Sequence, residues 1–189
     1  MEYHDQFAFC PGCGAPYDAS SRRSAPSLFV CPRCQLEVYN NSKPSVSAVI
    51  PSLQRPDRVL VIVRATPPSI GALALPGGIL DYGEMPESGI CREVLEETGV
   101  TVHVAGVLHC HLISYQYKSR HIWMYETAFL CDPVDESAPA GRTEEASSTY
   151  FESVAITEQS ARRFAFPEQV DVVNCYRNRH LGAPHAVHV

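Results

Sequence analysis

Residues 78–100, GILDYGEMPESGICREVLEETGV, constrain this chain more than any other stretch. A turn poor in side chains, Leu75-Pro76-Gly77-Gly78, leads into a segment with helix punctuation at both ends. Pro86 suits a first helical turn, where its missing N–H leaves nothing unpaired. Gly99 suits the position just past a helix end, where the chain often turns left-handed. The helix between them has about three turns. Ile90 with Val94, and Cys91 with Leu95, are i,i+4 apolar pairs that predict an inward face. Glu93, Glu96 and Glu97 then share the other side at i, i+3 and i+4.

Three carboxylates on one helical face repel each other, by about 0.2–0.5 kcal/mol per pair even when exposed. Carboxylate oxygens are also the ligands that Mg2+ and Mn2+ prefer. Divalent cations would relieve the repulsion, neutralise a pyrophosphate and polarise its phosphorus toward water. A solvated acidic face is the alternative for an isolated E-x-x-E-E. The preceding loop argues against it. Gly77 and Gly78 let backbone groups approach a ligand or metal. Glu84 and Arg92 flank the helix start and are placed to brace loop against helix.

Cys10-Pro-Gly-Cys13 and Cys31-Pro-Arg-Cys34 form two C-x-x-C knuckles. They lie about twenty residues apart, the spacing of a tetrahedral four-cysteine zinc site. Four thiolates leave no open coordination position, so such a zinc is structural. Two disulfides are one alternative and a redox C-x-x-C pair is another. The chain opens MEYHDQFAFC, with no apolar signal segment. That points to a reducing cytoplasm and away from disulfides. A segment this short builds little core, so metal would supply much of its folding energy.

The net charge of −6 argues against broad nucleic-acid binding, which wants a basic surface. Arg22 and Arg23 are too few to change that. No apolar run approaches the roughly 18 residues of a membrane span. Cys91, Cys110, Cys131 and Cys175 fall in apolar stretches and read as buried free thiols.

Residues 1–43 read as a zinc ribbon, with a polar loop at 19–26 between the knuckles. Residues 44–189 read as a second domain. Its runs at 46–53 and 59–64, joined by Gln-Arg-Pro-Asp, predict a hairpin. Residues 100–114 and 122–131 predict strands, with Trp123 in the core. Residues 133–148 predict a loop, and Tyr150-Phe151 a short strand. Residues 159–164 and 167–180 predict helices, the second with Val170, Val173, Cys175 and Tyr176 inward. Residues 182–189 predict a tail. Mixed strands with helices on either side predict an α/β fold: an α/β/α sandwich with a mixed sheet, preceded by the ribbon.

Gly78, Glu84, Arg92, Glu93, Val94, Glu96, Glu97, Gly99 and Val100 fill the fixed positions of G-x5-E-x7-R-E-U-x-E-E-x-G-U, U being aliphatic. The stretch resembles the Nudix box, the signature of enzymes that hydrolyse a nucleoside diphosphate linked to another group. With the ribbon and Tyr39-Asn-Asn-Ser-Lys-Pro44 ahead of it, the chain is similar to the NADH pyrophosphatase branch. It is also similar to zinc-ribbon members acting on FAD or ADP-ribose. The resemblance implies hydrolysis of a pyrophosphate bond, with catalytic Mg2+ or Mn2+ and structural Zn2+. It makes Glu93 and Glu97 the main metal ligands, and Glu96 a third ligand or the base that orients water. It gives the Gly77 carbonyl to a metal and places Gly78 beside the substrate. Glu84 and Arg92 brace the loop. The family's late-loop glutamate maps to Glu144, with Glu145 next to it. A small nucleotide substrate and a homodimer are also implied.

The NADH branch carries a Ser-Gln-Pro-Trp-type segment shortly after the box, and ADP-ribose enzymes tend to have a proline there. Here the region reads HLISYQYKSRHIWM, with neither. The substrate therefore stays open. Tyr115 and Tyr117 either stack on an adenine or flavin ring or are ordinary strand aromatics. His109, His111 and His121 either touch phosphates or are surface or satisfied histidines. An alternative function is a regulator, in which the ribbon binds nucleic acid or protein and the box domain senses a nucleotide. Regulators of that kind usually lose box glutamates, and none is lost here.

Overall fold

The structure is a computed structural model that describes residues 7–18, 21, 28–117, 120–134 and 143–182. The predicted tail beyond Gly182, most of the loop at 19–26 with Arg22 and Arg23, and residues 135–142 lie outside these. The side chains of Tyr115 and Tyr117 lie outside them too. The chain forms two compact units, residues 1–43 with 114–123 and residues 44–113 with 124–189.

In the first unit β1 (Leu28–Val30) pairs antiparallel with β2 (Glu37–Tyr39), Phe29 opposite Val38. The second knuckle forms the turn between them, closed by the Cys31 N–H donating to the Leu36 carbonyl at 2.9 Å. Phe29 is buried, with the Tyr17 ring 5.5 Å away. So small a core fits a segment that leans on its cysteines.

The remaining elements are β3 (Lys43–Val49), β4 (Arg58–Arg64), β5 (Leu73–Ala74), β6 (Gly77–Ile79), α1 (Pro86–Thr98), β7 (Val102–Tyr117), β8 (Arg120–Pro133), β9 (Ala146–Ser153), α2 (Glu158–Ala161) and α3 (Pro167–His180). One sheet has the order β6-β3-β8-β7 and another β5-β4-β9. Strand alternation sends side chains to both faces. Val46, Ala48, Ile50 and Leu60 pack with Ile90 and Val94 of α1. Val49, Val59 and Val61 pack with Val172, Val173 and Tyr176 of α3. The result is an α/β/α layering. Each fully buried aliphatic side chain contributes about 1.5–3 kcal/mol relative to exposure. Among the described residues no helix is long and apolar enough to cross a membrane.

Several expectations need correction. The runs expected as a hairpin do pair beside their turn, with the antiparallel bridge Pro51↔Val59 flanked by Leu60 N–H to Ile50 and Ser52 N–H to Arg58, both 2.9 Å, but β3 and β4 then part into different sheets. Leu95 is exposed rather than inward, and so is Trp123, because alternate residues of the β7–β8 hairpin face outward. Cys110 is exposed, although Cys131 is buried. The helix expected at 159–164 is the four-residue α2, stopped after one capped turn from Thr157. β9 begins at Ala146, inside the expected loop, and pairs along β4.

Candidate active site

The loop before α1 is seated by one arginine. Arg92 Nε and Nη2 donate to the two oxygens of Glu84, both at 2.8 Å. Glu84 also accepts the Asp81 N–H at 2.9 Å. The Arg92 hydrogen bonds, with help from that N–H, hold the Glu84 carboxyl down at about 2. Arg92 Nη1 reaches Glu93 at 2.9 Å and Glu96 at 3.0 Å, so one guanidinium serves three carboxylates. Gly89 makes room for this. A Cβ there would lie 2.3 Å from Leu80 and 3.0 Å from a Glu84 oxygen.

The helix carboxylates do not share one environment. Glu93 and Glu97 are buried, at 7% and 4% exposure, while Glu96 is exposed at the rim. Glu97 Oε2 accepts the Gly77 N–H at 2.8 Å. Gly77 has φ +151°, and a Cβ on it would sit 2.1 Å from the Val46 carbonyl oxygen. A Cβ on Gly78 would sit 2.6 Å from the Glu93 carboxyl carbon. The two glycines thus lay backbone directly against the two buried carboxylates.

Burial pushes Glu97 up to about 8, despite the Gly77 N–H; the charges of Glu93 and Glu145 push the same way and Arg64 opposes. Burial also raises Glu93, against Arg92, with Glu145 and Glu96 adding to the rise. Adjacent carboxylates that resist ionising form a site short of positive charge, and oxygen-rich donors of this kind suit hard divalent cations. Glu145 is the late-loop glutamate whose charge bears on both. Its carbonyl accepts the Ala65 N–H at 2.8 Å, just ahead of β9. Glu144 and Glu145 are both exposed.

The four knuckle cysteines converge. Their sulfurs all lie within 4.8 Å of one another, with Cys10–Cys34 and Cys13–Cys31 both at 3.6 Å. A tetrahedral zinc with bonds of ~2.3 Å has sulfur–sulfur edges of roughly 3.8 Å, so the cluster fits that ion. The knuckles close alike: Gly14 and Gln35, each just past its knuckle, have φ +70° and +61°. Their N–H groups donate to the carbonyls of Cys10 and Cys31 at 2.9 and 3.0 Å. Burial works to raise Cys10, but the N–H groups of Gly12 and Cys13 and the neighbouring thiols bring it down to about 6. The N–H groups of Cys34 and Arg33 help lower Cys31 against its burial.

Three features of the site carry little signal in the sequence. Gly89 is one. Gln169 is another: its buried side chain accepts the Leu75 N–H at 2.9 Å and anchors the start of the glycine loop. A glutamine one turn from Val172 and Val173, on an inward helical face, was its only signal. The third is a buried Ser47–Glu126 hydrogen bond of 2.7 Å. Of the histidines, His109 stacks on His111 with ring centroids 5.4 Å apart, and His121 Nδ1 lies 3.5 Å from Ser114 Oγ.

This architecture is shared with solved structures. A NUDIX hydrolase from Nitrosomonas europaea superposes with a TM-score of 0.70 at 23% identity, over 94% of this chain and 95% of that one. Among curated proteins, the NAD-capped RNA hydrolase NudC of Klebsiella pneumoniae is 26% identical over 138 residues, 71% of this chain and 47% of that protein. The ADP-ribose pyrophosphatase of Methanocaldococcus jannaschii is 38% identical over 89 residues, 47% of this chain and 52% of that one. The chain thus spans about half the length of these curated relatives. The NUDIX domain family model matches residues 43–169, from β3 through the glutamate helix into α3. With the box in register and the fold in common, the chain belongs to the NUDIX family.

Proposed function

We propose that this protein is a metal-dependent pyrophosphohydrolase that splits the P–O–P bridge of a nucleoside diphosphate linked to another group. NADH, FAD and ADP-ribose represent the substrate class. The observation that carries this reading is the buried Glu93–Glu97 pair, short of positive charge and lying against the Gly77-Gly78 backbone. Mg2+ or Mn2+ held by Glu93, Glu97 and the Gly77 carbonyl would bind the diphosphate, acidify a water and offset charge on the leaving phosphate. Glu96, at the rim, is a third ligand or the base that orients water. Glu145, in preference to Glu144, is the late-loop contributor, because its charge bears on both buried carboxylates. Glu84 and Arg92 hold the loop in place. A new bond forms between water oxygen and one phosphorus, the bridging P–O bond breaks, and a water proton is released. NADH would give AMP and reduced nicotinamide mononucleotide.

The relatives named as an NAD-capped RNA hydrolase and an ADP-ribose pyrophosphatase support the reaction class. We assign residues 1–43 as a ribbon holding one structural zinc at Cys10, Cys13, Cys31 and Cys34, and residues 44–189 as the hydrolase domain. The homodimer is carried over from the resemblance. A monomeric mass at micromolar concentration would overturn the dimer.

The decisive experiment is a product screen with Mg2+ or Mn2+. It covers NADH, NAD+, FAD, ADP-ribose, dinucleoside polyphosphates, nucleoside triphosphates and NAD-capped RNA. Mononucleotide release from one or more dinucleotide-like substrates, abolished by chelator, is the expected result. Release from none, or turnover in excess chelator, would refute the reading.

A further inference from the structure

The sheet β6-β3-β8-β7 carries a row of polar side chains that pyrophosphate cleavage does not use. Gly77 pairs with Ser47 in register. Ser47 Oγ donates to Glu126 Oε1 at 2.7 Å, and His111 Nε2 lies 3.4 Å from the same oxygen. Gly77, Ser47, Glu126 and His111 thus take one position on each of four successive strands. Ser45, two residues before Ser47, shares its face. Ser45, Ser47 and Glu126 are all at least 96% buried, at 3%, 1% and 4% exposure.

At that depth polar atoms are normally paired. Here Ser45 Oγ and His111 Nδ1 have no hydrogen-bond partner among the described residues, and His111 Nε2 faces only Glu126 Oε1, at 3.4 Å. Ser47 is likewise the one hydrogen-bond donor to Glu126 among them. The row therefore gathers unused donors and acceptors beside the glycine loop. Neighbouring strands lie roughly 4.8 Å apart, so Glu126, two strands from Gly77, stands about 10 Å from it. A nucleoside joined through its ribose to a diphosphate at Gly77 spans such a gap.

We propose that Ser45, Glu126 and His111 form a ring-recognition subsite, in which Glu126 accepts an N–H from a planar heteroaromatic ring of the substrate. This rests on the pyrophosphohydrolase reading and names which part of the substrate this sheet selects. Glu126 already accepts the Ser47 hydroxyl, so its carboxyl oxygens face the row as acceptors. The subsite therefore favours a ring bearing an amine or carboxamide over one bearing an oxo or carboxylate group at the same place. A 6-aminopurine and a pyridine carboxamide both offer that chemistry. His111, stacked on His109, places its ring nitrogens beside Glu126. Burial makes the choice sharp, because a mismatched ring leaves desolvated groups unpaired.

The test compares kcat/KM for two substrate pairs with Mn2+: ADP-ribose against inosine diphosphate ribose, and NAD against nicotinic acid adenine dinucleotide. The native protein is expected to prefer the amine or amide member about tenfold or more in one pair, which identifies the ring that docks here. Glu126→Gln, whose amide can also donate, should flatten or invert that ratio and leave the other pair's ratio unchanged. Ser45→Ala removes a hydroxyl with no hydrogen-bond partner among the described residues. It should keep or raise Tm while raising KM for the preferred substrate, and it decides the matter if Glu126→Gln fails to fold. Unchanged ratios in folded Glu126→Gln, or unchanged KM in Ser45→Ala, overturn this proposal alone. Turnover of no nucleoside diphosphate derivative by the native protein overturns the pyrophosphohydrolase reading and this subsite with it.

Discussion

The Gly77 N–H donates to Glu97 Oε2 at 2.8 Å, tying the loop before the helix to a carboxylate near the helix end, twenty residues on. That bond helps the ionised form, yet burial still lifts Glu97 from its ordinary 4.5 to about 8. The folded metal-free protein therefore binds a proton there more tightly than the unfolded chain does. This group's contribution to stability is present below about pH 4.5 and is lost as pH rises through 8. Metal binding reverses the trend, since the cation favours the ionised form.

Glu97→Gln should accordingly act in opposite directions on stability and activity. The amide oxygen still accepts the Gly77 N–H, and the costly buried charge is gone. In chelator at pH 8 the variant should be more stable by about 1–3 kcal/mol. With Mg2+ its turnover should fall by about a hundredfold or more. Denaturant curves and initial rates on the same preparation check both. A variant less stable in chelator, or fully active with metal, would contradict the assignment.

The two loop glycines should respond differently to alanine. On Gly77 a Cβ meets the Val46 backbone at 2.1 Å, so Gly77→Ala should cost roughly 3 kcal/mol or more. On Gly78 the obstacle is the movable Glu93 carboxylate. Gly78→Ala should change Tm little and raise the Mg2+ concentration needed for half-maximal rate. Equal losses of Tm in the two variants would count against this geometry.

Arg92→Lys keeps the charge and loses the fork that grips Glu84 twice and reaches Glu93 and Glu96. A lysine ammonium cannot reproduce bidentate pairing. The rate should fall about tenfold or more, mainly in kcat, because the loop loses its register on the helix. That fork does most to hold Glu84 below its usual range, with the Asp81 N–H helping. Its stabilising contribution is present above about pH 4.5 and is lost as pH falls through 2. In Arg92→Lys this loss should shift toward neutral pH, which acid-unfolding curves can follow.

At the cysteine cluster, Gly14 and Gln35 take the same left-handed turn. Gly14→Ala should cost the zinc-loaded protein about 1 kcal/mol, and Gln35→Gly should cost nothing or stabilise by a few tenths to about 1 kcal/mol. Metal content near one equivalent should persist in both. Loss of zinc from Gln35→Gly would show that its side-chain bond to the Pro32 carbonyl matters more than the backbone turn.

The glutamate helix, its ends and the two knuckles could be read in the sequence because each is written locally. Pro86, Gly99 and the carboxylate spacing sit within one element, and C-x-x-C fixes its own turn. The same local reading places Glu93, Glu96 and Glu97 together on one helical face. Tertiary structure separated them: the Gly77-Gly78 loop covers Glu93 and Glu97 and leaves Glu96 at the rim. The choice of Glu145 as electrostatic partner depends on how β9 pairs along β4, dozens of residues from the helix. The split of residues 46–53 and 59–64 between two sheets, and the row from Ser47 to His111, likewise depend on strand order. Periodicity reports which residues share a face of their own element. Which faces meet, and which charges are taken out of water together, is settled only when distant segments pack.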